Sequence, residues 1–157
     1  KGTAGTLLAN SAWFEGQSFL FAHADNLCHC DFQAFLSNHL TRPPPAVGTM
    51  MTFKAEKPSN CGIVEVNDCG LVRGFHEKVA HPPGSLANAA VFILEPEVLE
   101  IMSELESPAF DFSAEVIPKL LGRFFTWHND CYLKDIGTPE NYRVAQEEWL
   151  RVNSYTN

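Results

Sequence analysis

Phe19 to Asn26, FLFAHADN, is the stretch whose reading decides the fold. Phe19, Leu20, Phe21 and Ala22 form a short continuous apolar run, the pattern of a strand buried on both faces of a parallel sheet rather than one with a face open to water. Asp25 and Asn26 then stand at its C-terminal end. In open α/β sheets ligands bind at that edge, so a carboxylate there is a candidate for holding a metal and, through the metal, a phosphate. Asx residues also turn a chain without any ligand, and this stretch by itself leaves both readings open.

The flanking sequence extends the α/β pattern. Upstream, the small residues Gly2, Thr3, Ala4 and Gly5 open a helix-like segment over 6–14, where backbone N–H groups can approach a ligand closely or simply begin a helix. Downstream, Asp31 is placed to cap a helix whose Phe32, Phe35, Leu36, His39 and Leu40 recur at three and four residues, and the prolines at 43–45 end it. His39, on the apolar face, reads as a packed residue rather than a ligand. Residues 47–53 read as the next strand, and 62–66 and 71–77 as a hairpin turned by Asn67-Asp68-Cys69-Gly70. Pro82-Pro83-Gly84 marks a loop suited to a mobile segment beside a pocket.

NAAVFIL at 88–94 is a second fully apolar strand and belongs in the middle of the sheet. Glu95-Pro96-Glu97 starts a helix with an apolar face at Val98, Ile101, Met102 and Leu105. Asp111 and Ser113 can cap the next helix, which Pro118 distorts or shortens. Residues 124–127 and 131–133 are strand-like, and Pro139 opens a closing helix through Tyr142, Ala145, Trp149 and Leu150.

With 157 residues and 45% hydrophobic content the chain suits one globular domain, 1–157. Eleven Lys and Arg against nineteen Asp and Glu give a net charge of −8 without any basic run, which argues against nucleic acid or an anionic membrane as partner. A phosphate ligand would need a cation beside it. Cys28, Cys30, Cys61, Cys69 and Cys131 are odd in number and contain no CxxC pair, so neither a disulfide framework nor a zinc finger is indicated. Reduced thiols in a cytoplasmic protein are the simpler reading. No apolar stretch reaches the roughly 18 residues of a membrane span, and no signal peptide is recognisable. His23, Cys28, His29 and Cys30 have the residue types of a zinc site, but three of them are consecutive, and a closed tetrahedral site is hard to build from them.

The order of the short motifs carries more information than any one of them. GTAGTL at 2–7, HADN at 23–26, CGIVEV at 61–66, FHEK at 75–78, NAAVFIL at 88–94 and DIGTPENY at 135–142 together closely resemble the sugar-phosphate nucleotidyltransferases, the group that includes mannose-1-phosphate guanylyltransferases and glucose-1-phosphate thymidylyltransferases. The resemblance implies a Rossmann-like three-layer α/β/α fold with a mixed, mostly parallel sheet. It also implies the reaction of a nucleoside triphosphate with a sugar 1-phosphate to give a nucleotide sugar and pyrophosphate.

In that family two carboxylates hold Mg²⁺, and they map to Asp25 and Asp135. Magnesium takes one or two carboxylates plus phosphate oxygens and water, which would also answer the charge problem. Glu77 and Lys78 resemble the sugar-binding pair, Asn88 the polar residue that opens the sugar-facing strand, Gly62 the backbone position against the sugar, and Gly2 and Thr3 the start of a segment touching the base. Ordinary capping, turn and surface roles remain open for each. Guanylyl transfer to mannose or heptose 1-phosphate is the preferred expectation, from the overall look of DIGTPENY, with thymidylyl or uridylyl transfer close behind.

The departures are equally definite. The family's glycine-rich triphosphate loop, GGxGTRLxPLT, and its following Lys have no counterpart here, so the expected fold is N-terminally incomplete. Ala24 and Ala89 stand where Gly is usual, and Val79 where Pro commonly follows Glu-Lys. Each added methyl is expected to narrow the pocket. The alternative is an inactive, truncated binding or assembly module, with a homodimer covering the exposed sheet surface.

Overall fold

The computed structural model describes residues 2–14, 16–105 and 111–154. The elements follow as α1 (Gly2–Ala9), β1 (Phe19–Ala22), β2 (Asn26–His29), α2 (Phe32–Leu40), β3 (Gly48–Lys54), β4 (Gly62–Val66), β5 (Val72–Glu77), β6 (Leu86–Leu94), α3 (Glu97–Ser103), β7 (Phe124–His128), β8 (Tyr132–Asp135) and α4 (Pro139–Ser154). Asp111 caps a π turn, Phe112–Val116, by accepting the Ala114 N–H at 2.8 Å. Pro118 cannot donate to a continuing helix, and the chain tightens to a 3₁₀ turn, Ile117–Leu120.

The main sheet is mixed. Its order is β5-β4-β6-β3-β7, with β1 also paired to β6. β3 and β7 pair in parallel, while β6 runs antiparallel to β1, β3 and β4. Four strands therefore point one way and β5 and β6 the other. As the apolar run predicts, β6 lies in the middle.

Alternation along β3 and β6 separates two cores, because successive strand residues face opposite sides. Met50, Phe92 and Leu94 pack with Ala4 and Leu7 of α1, with Val98, Leu99 and Met102 of α3, and with Phe112 and Phe124. Phe92, Phe112 and Phe124 meet at ring-centroid distances of 5.1, 5.9 and 6.3 Å, and truncating one such buried ring costs about 3–5 kcal/mol. On the opposite face Met51, Ala89, Val91 and Ile93 pack against Phe35 of α2. Helices on both faces of the sheet make the three layers.

Two expectations need correction. β1 is not buried on both faces: Phe19 is buried but Leu20 is 54% exposed, because among the described residues β1 pairs only with β6, antiparallel, and nothing covers its second face. The first helix ends at Ala9, with a separate 3₁₀ turn at Ser11–Phe14. β2 has no counterpart in the sequence reading. It pairs with β8 as a separate two-stranded ribbon.

His39 ties the layers together. Fully buried, it bonds Thr49 Oγ1 through Nδ1 and Glu95 Oε1 through Nε2, each at 2.9 Å. Glu95 also accepts from Ser18 Oγ at 2.9 Å and pairs with Arg42 at 2.7 Å. Burial, with help from the Arg42 charge, holds His39 below its ordinary 6.5 against the opposing bond to Glu95. Partial burial opposes ionisation of Glu95, yet Ser18, His39 and Arg42 hold it below its ordinary 4.5.

Both shifts have the same consequence. Each group binds protons more readily in the unfolded chain than in the fold, so stability rises with pH across each window. Urea midpoints should therefore fall as pH drops below the ordinary histidine value of 6.5, then again below the ordinary carboxyl value of 4.5. His39→Gln should flatten the first step; an unchanged first step would place it on other histidines.

Candidate active site

The β2–β8 ribbon brings distant parts of the chain together. Its antiparallel register pairs Asn26 with Asp135, Leu27 with Lys134, Cys28 with Leu133 and His29 with Tyr132. One position further, Ile136 N–H donates to Asp25 O at 2.7 Å. A Cβ placed on Gly137 would lie 3.0 Å from Asp25 Oδ2 and 3.1 Å from Asp135 Oδ1, so two exposed carboxylates converge over a residue that has no side chain. The Gly137 N–H donates to Asp135 Oδ1 at 2.7 Å and fixes that carboxylate.

A bulge in β6 forms the adjoining wall. The β3–β6 register jumps from Met50↔Phe92 to Thr52↔Asn88, so β6 carries extra residues there, and Ala90 adopts a left-handed φ of 52°. Asn88 Oδ1 accepts the Ala90 N–H at 2.9 Å. The displaced carbonyls hold the HADN turn: Ala89 O accepts from Asn26 Nδ2 at 2.8 Å and Ala90 O from His23 N at 3.1 Å.

The β4–β5 hairpin forms the opposite wall. A Cβ on Gly62 would come within 2.5 Å of Phe75 Cζ and 2.7 Å of Glu77 Oε2, so Gly62 leaves the room in which the Glu77 carboxylate sits. Lys78 has a left-handed φ of 49°, donates its N–H to Cys61 O at 3.2 Å, and holds its ammonium 3.7 Å from Glu77 Oε1. Burial, then the Glu77 carboxylate, pushes the Cys61 thiol up.

These walls enclose a cleft of about 980 Å³. Asp25, Gly62, Glu77, Lys78, Asn88 and Asp135 all line it. Gly2 and Thr3 do not; Thr3 Oγ1 accepts the Phe112 N–H at 2.8 Å, one residue before Ser113, which does line it. The methyl of Ala89 packs into the core with Met51, and neither Ala24 nor Val79 lines the cleft.

Sequence reasoning missed Lys54, Lys57, His128, Tyr132 and Glu148 on the walls. Lys54 and His128 end β3 and β7, and the rule that ligands sit beyond the carboxyl ends of strands would have found them. Tyr132 Oη and Lys134 Nζ donate to Glu148 at 2.8 and 3.1 Å and thereby dock α4 on the ribbon. Burial, then Glu148, pushes the Tyr132 phenol up, and its bond in turn holds Glu148 low.

The zinc constellation does not assemble. Cys28 faces the core at Met51, whereas His29 faces Trp149 at a ring-centroid distance of 5.7 Å. No group of three or more His, Cys, Asp or Glu placed to hold a metal occurs among the described residues, and no helix among them is long and apolar enough to cross a membrane.

Residues 1–151 match the family described as nucleotidyl transferase. Glucose-1-phosphate adenylyltransferase 2 of Vibrio cholerae is 27% identical over 177 residues, which cover 96% of this chain and 43% of that protein. Glucose-1-phosphate adenylyltransferase of Thermotoga maritima is 26% identical, with coverage of 94% and 38%. The chain thus spans less than half the length of these curated relatives. Among solved structures, HddC of Yersinia pseudotuberculosis superposes with a TM-score of 0.75 at 23% identity, over 94% of this chain and 62% of that one. A Bacillus anthracis protein described as a glucose-1-phosphate thymidylyltransferase gives 0.80 at 14% identity, over 93% and 60%.

The left-handed Ala90 yields a direct check. An L side chain in that conformation costs about 1–2 kcal/mol, against which glycine loses roughly 0.4–1 kcal/mol through its freer unfolded chain. Ala90→Gly should therefore stabilise the protein, by up to about 1.5 kcal/mol in a urea titration. A loss of stability would mean that the methyl contributes packing that outweighs its backbone strain.

Proposed function

The chain belongs to the nucleotidyl transferase family, and from that membership we propose that its cleft binds a sugar 1-phosphate beside a nucleoside triphosphate and supports formation of a nucleotide sugar and pyrophosphate. The observation that carries this reading is the convergence of Asp25 and Asp135 over Gly137 in the cleft that also holds Glu77, Lys78 and Asn88.

The cleft is lined by six carboxylates and four lysines, and Lys134 is already bonded to Glu148. A ligand with several phosphate charges needs more positive charge than that. Two exposed carboxylates, with no third protein ligand among the described residues, suit a magnesium ion whose other positions go to phosphate and water. Bound there, the ion would neutralise phosphate charge during an in-line displacement. Asp25 and Asp135 supply its oxygens, and the ribbon register aligns them.

The other residues act on the sugar phosphate. Lys78, 68% exposed, presents its ammonium to the phosphate, and Glu77 accepts hydrogen bonds from sugar hydroxyls. Asn88 has its Oδ1 occupied by the Ala90 N–H, so it offers the amide Nδ2 as donor. The protein's contribution is alignment and charge complementarity, since phosphoryl transfer asks for little covalent work.

The nucleobase is left to the assay. Guanylyl transfer, the preference drawn from DIGTPENY, is one arm, and adenylyl transfer, the reaction named for the curated relatives, is another. Pyrophosphate release with Mg²⁺, the four common NTPs and a panel of sugar 1-phosphates should show turnover that Asp25→Asn and Asp135→Asn each lower about 100-fold or more. Mn²⁺ should broaden NMR signals around residues 25 and 135 whether or not turnover occurs. Broadening without turnover would leave a binding module; turnover indifferent to both substitutions would remove the carboxylate pair from the reaction.

A further inference from the structure

The ribbon that sets Asp25 against Asp135 carries a second facing pair at its other end. The bond from Ile136 N to Asp25 O marks Asp25/Ile136 as a hydrogen-bonded pair. Such pairs alternate with non-hydrogen-bonded ones along an antiparallel ladder. His29/Tyr132, the last pair of the ladder, is then hydrogen-bonded, and the same register continued one residue past the strands, where the chain bends at both positions, would set Cys30 opposite Cys131 as a non-hydrogen-bonded pair. Residues in such a pair have Cα atoms about 4.5 Å apart and side chains on one face. A disulfide accepts Cα separations of about 4.4–6.8 Å.

Two further observations support the pairing. Asn129 clamps this end of the ribbon: its Nδ2 donates to His29 O and Tyr132 O at 3.2 and 3.3 Å, and its Oδ1 accepts the Cys131 N–H at 3.0 Å. Cys30 also lies within electrostatic reach of Cys131.

Cys28 is the nearest competitor, because its thiol and that of Cys30 share a hydrogen bond along one strand; residues two apart on a strand lie about 6.6 Å apart at Cα, near the upper limit for a disulfide. Cys28 faces Leu133 in the register, so Cys131 is its diagonal neighbour at about 7–8 Å, beyond disulfide range. Its thiol donates to Met51 Sδ at 3.7 Å. Cys61 sits on the opposite wall of the cleft, and Cys69 in the β4–β5 turn.

We propose that Cys30 and Cys131 are a redox-active pair that closes into a cross-strand disulfide at the wall of the cleft. Cys131 is exposed and Cys30 half-buried, so Cys131 meets the oxidant, a low-molecular-weight disulfide such as oxidised glutathione. Its thiolate attacks one glutathione sulfur, forms a mixed disulfide and expels one glutathione thiol. Cys30 then gives up its proton, attacks the Cys131 sulfur and expels the second. Two cysteine thiols are oxidised and one glutathione disulfide is reduced to two thiols. Burial, with the neighbouring Cys28 and Cys131, pushes the Cys30 thiol up to about 12, so little of it is thiolate near neutral pH and its attack depends on being held beside the mixed disulfide. The closed pair staples the ribbon whose far end holds the two carboxylates.

The test is oxidation of the reduced, folded protein with glutathione disulfide, followed by thiol titration and peptide mapping without reductant. The five free cysteines should fall to three titratable thiols, with the Cys30 and Cys131 peptides linked, and amide exchange in β2 and β8 should slow. Cys28→Ser should keep the link and Cys131→Ser should lose it. Five free thiols, a Cys28–Cys30 or Cys28–Cys131 link, or glutathione left unresolved on Cys131 would each overturn the proposal.

Discussion

The pairing of β2 with β8 is the constraint on which the rest of the cleft depends. It joins the segment after the first strand to the segment before the last helix, and nothing else among the described elements sets Asp25 beside Asp135. A slip of one residue would turn every side chain of one strand to the other face. The register is held from both sides against that slip. Cys28 and Leu133 point into the core formed with Met51 and Phe35, while His29 and Tyr132 face Trp149 of the closing helix. A two-stranded ribbon is marginal alone in water, and here it is stable because it lies between a sheet and a helix.

The bulge in β6 serves the same end by another route. Regular pairing along β6 would satisfy its carbonyls within the sheet and leave the HADN turn without partners. The extra residues instead free Ala89 O and Ala90 O for Asn26 and His23. The left-handed Ala90 is the local cost of that arrangement. Bulges of this kind recur beside functional sites because they re-aim backbone and side chains without breaking the strand.

Much of this was legible in the chain. The two apolar runs, the caps at Asp31 and Asp111, the hairpin at 67–70 and the proline starts of the helices all appear where propensity and capping chemistry put them. What escaped depends on tertiary partners. β2 has no periodic signal of its own, since Asn26-Leu27-Cys28-His29 alternates between a core and a helix that lie far away in sequence. Leu20 reads as buried because its neighbours are apolar, yet the face it shares with Ala22 meets no layer among the described residues. Ala89 was singled out for a methyl that narrows the pocket, whereas the structure packs that methyl against the core and puts a positive φ at Ala90. Only the register jump against β3 reveals which residue must take it. For the site, the motif order pointed to six of the eight expected residues that line one cleft; Gly2 and Thr3 do not, because α1 packs against α3 and the π turn on the far core.

Exposure of the two carboxylates is itself a physical solution. Converging acidic groups in a buried site would repel strongly at low effective dielectric and would lose their hydration. Asp25 and Asp135 are held at a ribbon end that stays open to water, so their repulsion is screened and neither charge has to be desolvated for the chain to fold. Position is then fixed by backbone pairing and the Gly137 N–H rather than by a counter-charge. Under the proposed role, a cation arriving with a phosphate ligand would meet carboxylates already aligned and gain the attraction that folding did not need. Stability and binding thus draw on different interactions within the same few residues, and this separation lets a chain of net charge −8 carry an acidic pair in its cleft.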